Sequence, residues 1–352
     1  ILRSSLKVMF MMRSVLVGHM EKLSASFVND PPSGTFFVMP RRRPAATFPI
    51  MPRLSPAVLL LLCGLAQQVA AQQYDLRVFS VEDGLPSATV RSVTEDGQGF
   101  LWLATDGGAC RSEGRAFQTL DERLGASGSA VSTLHRSNSN ILWAGLADGG
   151  IAQCDGHRFI AFPGKLNTRV RSLLADEEGR VWACDIEGHA RVFTAEGKVV
   201  QALTDHLAQV WVNKLVADTN GDIWAGTDDG LLHYTAKAWH EVNESNGLPK
   251  ARILDLAVDS NDLLIGTTAG LVIRQGDHFA VLDSTSGLLS NRVQAVLEGR
   301  DGALWLGTPA GMVRILRRGN DPKAWRITTV TEANGLGHND VRCLYQDRSG
   351  AL

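Results

Sequence analysis

Asp218, Asn220 and Asp222, with Asp229 twelve positions into the run, put oxygen atoms at alternate positions, as a loop wrapping a calcium ion does. Such a loop needs glycine at its sixth position to turn sharply, and this run has Ile223 there. The run also aligns with stretches that lack the acids, so it reads as a turn between strands and no metal is expected. Other chemistry finds no better footing: there is no His-Glu-x-x-His, no phosphate-binding glycine loop, no Gly-x-Ser-x-Gly and no paired-cysteine zinc spacing. The nine histidines are scattered, and His157, His240 and His278 fall at equivalent places of a repeat, which reads as surface rather than as a catalytic cluster. Neither a catalytic residue nor a cofactor is expected.

Binding is better served. One slot recurs just ahead of an apolar run, filled in turn by Thr89, Ala130, Arg169, Trp211, Arg252, Arg292 and Asp340. In six of seven cases it is polar or small, so it is expected to face solvent, and Trp211 stands out. A tryptophan flanked by Arg169, Arg252 and Arg292 could stack on a sugar or aromatic group while the guanidinium groups pair with carboxylates or hydroxyls. The alternative is that Trp211 folds back over a rim as packing, and both readings stand at this point.

What positions the slot is a repeat. The anchor residues Trp102, Trp143, Trp182, Trp224, Leu264 and Trp305 are separated by 41, 39, 42, 40 and 41 residues, the period of a four-stranded propeller blade. Ahead of each anchor lie a β-type run, such as 90–95, and an Asp/Asn/Gly turn; these give strand a, and the anchor segment gives strand b. The tryptophans are read as packing between blades. The small residue two places after each anchor (Ala104, Gly145, Cys184, Gly226, Gly266, Gly307) lets the next blade approach closely. A glycine turn leads to strand c, and outer strands d are expected at 117–120, 159–162, 199–203, 239–242, 279–282 and 325–330.

The stretch 76–85 matches the d strand and loop of repeat six, 326–336, so an N-terminal strand is expected to complete the last blade and close the ring. Six blades are complete by this count, and a seventh contributes only 341–347 before the sequence stops at Leu352. The expected fold is all-β: a seven-bladed propeller of four-stranded antiparallel blades over 72–352, truncated within its last blade. The sequence reads as a fragment.

Residues 1–50 show neither repeat nor periodicity and read as an over-extended translation or an unstructured leader. In 51–71, Arg53, the apolar run 57–66 and Val69-Ala70-Ala71 form a secretory signal peptide, too short in its apolar part for a membrane span. Its removal with the leader takes away 8 of 35 basic and 2 of 37 acidic residues, leaving 27 against 35, an acidic exported part near −8. With a sequence pI near 6.5 overall, nucleic acid is not expected as a partner. Of Cys110, Cys154, Cys184 and Cys343, the last two fill slots that hold small residues in other repeats and read as packed thiols, with no framework of bridges.

Gly84-Leu85-Pro86, the run 90–96, the segment 99–105 and Gly107-Gly108 together resemble the two-component regulator propeller repeat. The Gly-Leu loop returns at 247–249, 287–288 and 335–336 but is missing before blades two, three and four, and Leu264 departs from tryptophan. The resemblance, over 74–352, implies the periplasmic sensing portion of an inner-membrane receptor. It further implies a small-molecule or saccharide ligand, a homodimer, and a histidine kinase or diguanylate cyclase output beyond Leu352, where the membrane link would also lie. Two alternatives remain: a propeller enzyme like the streptogramin lyases, and a secreted propeller scaffold for protein binding.

Overall fold

The aspartate that opens the turn in blades one, three and four explains why those repeats fold as they do. Asp96 accepts the N–H groups of Gln98 (2.9 Å) and Phe100 (3.0 Å) through Oδ1 and the indole N–H of Trp102 (2.7 Å) through Oδ2, so one side chain closes the turn and fixes the anchor. Asp176 holds Trp182 (2.6 Å) and Asp218 holds Trp224 (3.0 Å) in the same way. Repeat two has Ser137 in this place. Its hydroxyl holds the turn but does not meet the indole, and Trp143 Nε1 is buried without a partner. A buried unpaired donor costs about 1–3 kcal/mol. Ser137→Asp is therefore expected to raise stability by about 1 kcal/mol, seen as a higher urea midpoint at constant m-value; a midpoint that stays put would refute it.

The structure is a computed structural model that describes residues 9–14 and 74–352, except 113, 115, 120–129, 155–157, 260–261, 277 and 320. The expected signal peptide at 51–71, most of the expected leader, and His157 lie outside the described residues. The propeller belongs to a unit of residues 1–13 and 75–352.

Six antiparallel sheets follow one another along the chain as six blades. Blade four shows the plan: Val212–Ala217, Ile223–Thr227, Leu231–Thr235 and Ala238–Val242, inner strand to outer. The core lies between blades. Trp182 of blade three packs with Val212, Ile223 and Tyr234 of blade four, and Trp224 of blade four with Ile253, Leu256 and Ile265 of blade five. The small residues after the anchors are what allow this: a Cβ on Gly226 would fall 2.6 Å from Ile253 Cγ2, and one on Gly145 would fall 2.5 Å from Val170 Cγ1.

Three expectations are corrected. First, the ring has six blades, not seven. Residues 341–347 form no strand among the described residues; an inner strand needs a second strand beside it, and none of the described strands pairs with this segment. The segment instead joins blade six to blade one: Val341 N–H donates to Thr308 O (3.0 Å), and Arg348 donates to Glu95 from its backbone N–H (2.9 Å) and its Nε (3.0 Å). Second, the N-terminal strand Tyr74–Phe79 completes no blade; it pairs with Met9–Ser14 in a two-stranded sheet, and Phe79 packs edge-on against Phe117 of blade one (5.2 Å). Third, the outer strand expected at 199–203 is replaced by a helix, Gln201–Leu207, so blade three has three strands. Gln-Ala-Leu favours helix over strand. The helix also satisfies the edge it covers, because Thr204 Oγ1 accepts Val192 N–H (3.1 Å) and Leu207 is fully buried.

Candidate functional site

Four of the slot residues are pinned at one mouth of the ring by their own backbone. The carbonyls of Ala130, Arg169, Trp211 and Arg252 accept N–H groups from Ala147, Ile186, Asp228 and Thr268, each in the turn between strands b and c of the same blade (2.9, 3.0, 3.2 and 3.0 Å). Just after the slot, the inner strands of blades one to five all break register between their first and third residues. A bulge re-aims the extra side chain. Here the extra residues are Arg91, Ser132, Arg171, Asn213 and Leu254, and the structure brings three of them into a polar network with the slot.

Asp106 and Asp228 organise that network. Arg91 grips Asp106 with Nε (2.5 Å) and Nη2 (3.0 Å), and Arg169 reaches the same carboxylate from blade three (3.7 Å). On the other side, Arg171 donates to Asn213 Oδ1 (2.6 Å), Asn213 donates to Asp228 Oδ1 (2.7 Å), and Arg252 donates to Asp228 Oδ2 (2.6 Å). Arg292 is exposed, and its guanidinium has no partner among the described residues. Burial lowers the Arg171 guanidinium from its ordinary value; Cys184 and Asp228 oppose that shift, while Arg252 and Arg292 add to it.

Trp211 is 45% exposed and lies over Gly188 of blade three, with its backbone locked to that turn through Val212 N–H to Gly188 O (3.0 Å). A Cβ on Gly188 would fall far inside contact distance of the indole, and its φ of +80° also disfavours any side chain. The indole therefore has one face on a bare backbone and substantial surface open. Gly188→Ala is expected to cost about 1–2 kcal/mol and to displace Trp211, seen as a red shift of tryptophan emission. An unshifted spectrum would show that Trp211 is not seated there.

The sequence singles out Trp211, Arg169, Arg252 and Arg292; the structure joins Trp211 to Arg252 through Asp228 and Arg169 to Asp106, and leaves Arg292 outside both groups. Sequence reasoning missed Arg91, Arg171, Asn213, Asp106 and Asp228. A recurrent polar residue right after the first apolar residue of strand a was the available signal.

Asp218, Asp222 and His233 bring donor atoms within 4.8 Å of one another and could hold a metal. Their present roles are structural: Asp218 serves Trp224 and two backbone N–H groups, Asp222 faces His233 (3.3 Å), and His233 stacks on Trp224 (3.7 Å). No disulfide joins Cys110, Cys154, Cys184 and Cys343, and burial pushes the thiols of Cys110, Cys184 and Cys343 up to about 12, away from reactivity.

Residues 84–107 and 287–310 match the model of the two component regulator propeller. A search of curated proteins gives no match. Among solved structures, the fold resembles the extracellular domain of a one component system from B. thetaiotaomicron, at TM-score 0.60 and 15% identity, covering 74% of this chain and 36% of that one. This chain therefore spans about a third of the length of that relative. A streptogramin B lyase is similar at TM-score 0.59 and 11% identity (76% and 90% covered), and the WD40 propeller domain of Doa1 at 0.54 and 15% (74% and 87%). These likenesses show the fold. They make the chain a β-propeller, two segments of which, 84–107 and 287–310, match the two component regulator propeller repeat.

Proposed function

We propose that this propeller is the ligand-sensing part of an exported receptor, with a small-molecule or saccharide ligand seated at the ring mouth. The observation that carries the reading is the pairing of family-matched repeats with a mouth where a half-open Trp211 adjoins an arginine-rich network. The extracellular placement of the B. thetaiotaomicron domain supports export. No helix among the described residues is long and apolar enough to cross a membrane; in this reading the receptor couples the propeller to a membrane link and a kinase or cyclase output. Signalling would follow as ligand binding shifts how two receptor copies pack.

The lyase likeness alone does not favour catalysis, since none of the slot or bulge positions is histidine. Calorimetry with a saccharide panel tests the reading. A bound sugar whose affinity collapses in Trp211→Ala is expected, and binding indifferent to Trp211 would move the site elsewhere.

A further inference from the structure

Fourteen positions frame the mouth: the seven slot residues and, two places on from each, Arg91, Ser132, Arg171, Asn213, Leu254, Gln294 and Arg342. Six of them are arginine and one, Asp340, is acidic, in a chain whose described propeller is acidic overall. Four of the six arginines have a carboxylate: Arg91 and Arg169 share Asp106, Arg252 has Asp228, and Arg342 has Asp340 (2.8 Å). Arg171 has only the neutral Asn213, and Arg292 has no side-chain partner among the described residues. Asn213 cannot neutralise Arg171, and Asp228 is already taken by Arg252. A partly desolvated guanidinium without a counter-charge is costly, and the cost vanishes when an anion arrives.

Resting on the mouth as the ligand site, we propose that the ligand is an acidic saccharide, whose carboxylate or sulfate is gripped by Arg171 and Arg292 while a sugar face lies on Trp211. Arg171 offers the planar fork that matches an oxyanion, and Asn213, held by Asp228, fixes its orientation. Arg292, exposed and with no side-chain partner among the described residues, would supply the second guanidinium. The indole supplies the apolar platform on which a sugar's C–H face settles.

The test compares trigalacturonate with its fully methyl-esterified form, which keeps the sugar faces and removes the charge, and adds inorganic sulfate as a bare oxyanion. Calorimetry is expected to show the acid binding about tenfold or more tighter than the ester, with the difference shrinking as sodium chloride is raised. Arg171→Gln and Arg292→Gln should each weaken the acid about tenfold and leave the ester unchanged, whereas Trp211→Ala weakens both. Arg292 is exposed and has no side-chain partner among the described residues, and an unchanged melting temperature of Arg292→Gln is expected to separate lost binding from lost folding. Sulfate is expected to raise the melting temperature of the parent chain more than that of Arg171→Gln.

Equal binding of acid and ester, both lost in Trp211→Ala, would overturn the anionic ligand and leave the mouth as a sugar site. Acid binding untouched by either arginine substitution would overturn the assignment of these residues. No binding of acid, ester or sulfate by a chain that melts cooperatively would overturn both readings.

Discussion

Trp182→Ala lowers the unfolding free energy by about 4 kcal/mol, the largest loss expected from any single anchor, because three supports fail together. The indole is fully buried between blades three and four, edge-on to Trp239 (5.9 Å) and tilted on Tyr234 (5.6 Å). Its N–H bonds Asp176 Oδ2 (2.6 Å), the same oxygen that Arg180 Nε grips at 2.7 Å. Removing the ring leaves a large cavity beside a three-stranded blade whose outer place is only a short helix. Trp182→Phe retains most of the packing and loses the hydrogen bond, so it should cost about 1–2 kcal/mol. Urea unfolding followed by far-UV circular dichroism separates the two. Equal losses for Phe and Ala would mean the Asp176 bond dominates, and a loss under 2 kcal/mol for Ala would mean the blades do not depend on this contact.

That contrast shows what the sequence made legible. The spacing of the tryptophans announces a propeller because each anchor answers one physical need, filling the gap against the next blade, and Leu264 meets it in blade five while fully buried. The turn aspartates are equally legible, since Asp96, Asp176 and Asp218 stand six residues before their tryptophans. Closure of the ring was not. The resemblance of 76–85 to 326–336 reflects a shared local preference, whereas strand pairing depends on which neighbour is present, and Tyr74–Phe79 meets Met9–Ser14. Blade three misled for a related reason: Val199 and Val200 suggest a strand, yet the residues that follow favour a helix, and Thr204 supplies the acceptor that the exposed edge requires. In the mouth, Trp211 could be found as an exception to its slot. Arg171 and Asn213 could not be oriented, because a bulge breaks the alternation by which a sequence tells one face of a strand from the other.

Acid should weaken the fold well before its carboxylates titrate, and His135 is the reason. It lies on the inner strand of blade two, against a cavity of ≈ 380 Å³ that Thr133, Ser172 and Lys214 also line. Its Nε2 is sealed from solvent without a partner. Burial brings the imidazole from 6.5 down to about 4; Lys214 and Arg136 push the same way, while the Ala175 backbone opposes. Above pH 6.5 His135 is neutral whether the chain is folded or not, so it contributes no pH dependence. Between pH 6.5 and 4 the unfolded chain takes up a proton that the folded one refuses, and stability falls as pH is lowered. The span from 6.5 to 4 sets a ceiling of about 3 kcal/mol, at about 1.4 kcal/mol per pH unit. His233, also lowered by burial against the pull of Asp222, adds in the same direction. Asp148, held below 3.8 mainly by the Gly150 N–H, contributes stability that is lost only on further acidification. Urea midpoints are therefore expected to change little from pH 7.5 to about 6.5 and to fall from there to pH 4.5 in the parent chain, and to flatten in His135→Gln, with the residual slope removed by His233→Gln. An unchanged slope in His135→Gln would mean that the cavity admits water and the imidazole titrates there as it does in the unfolded chain.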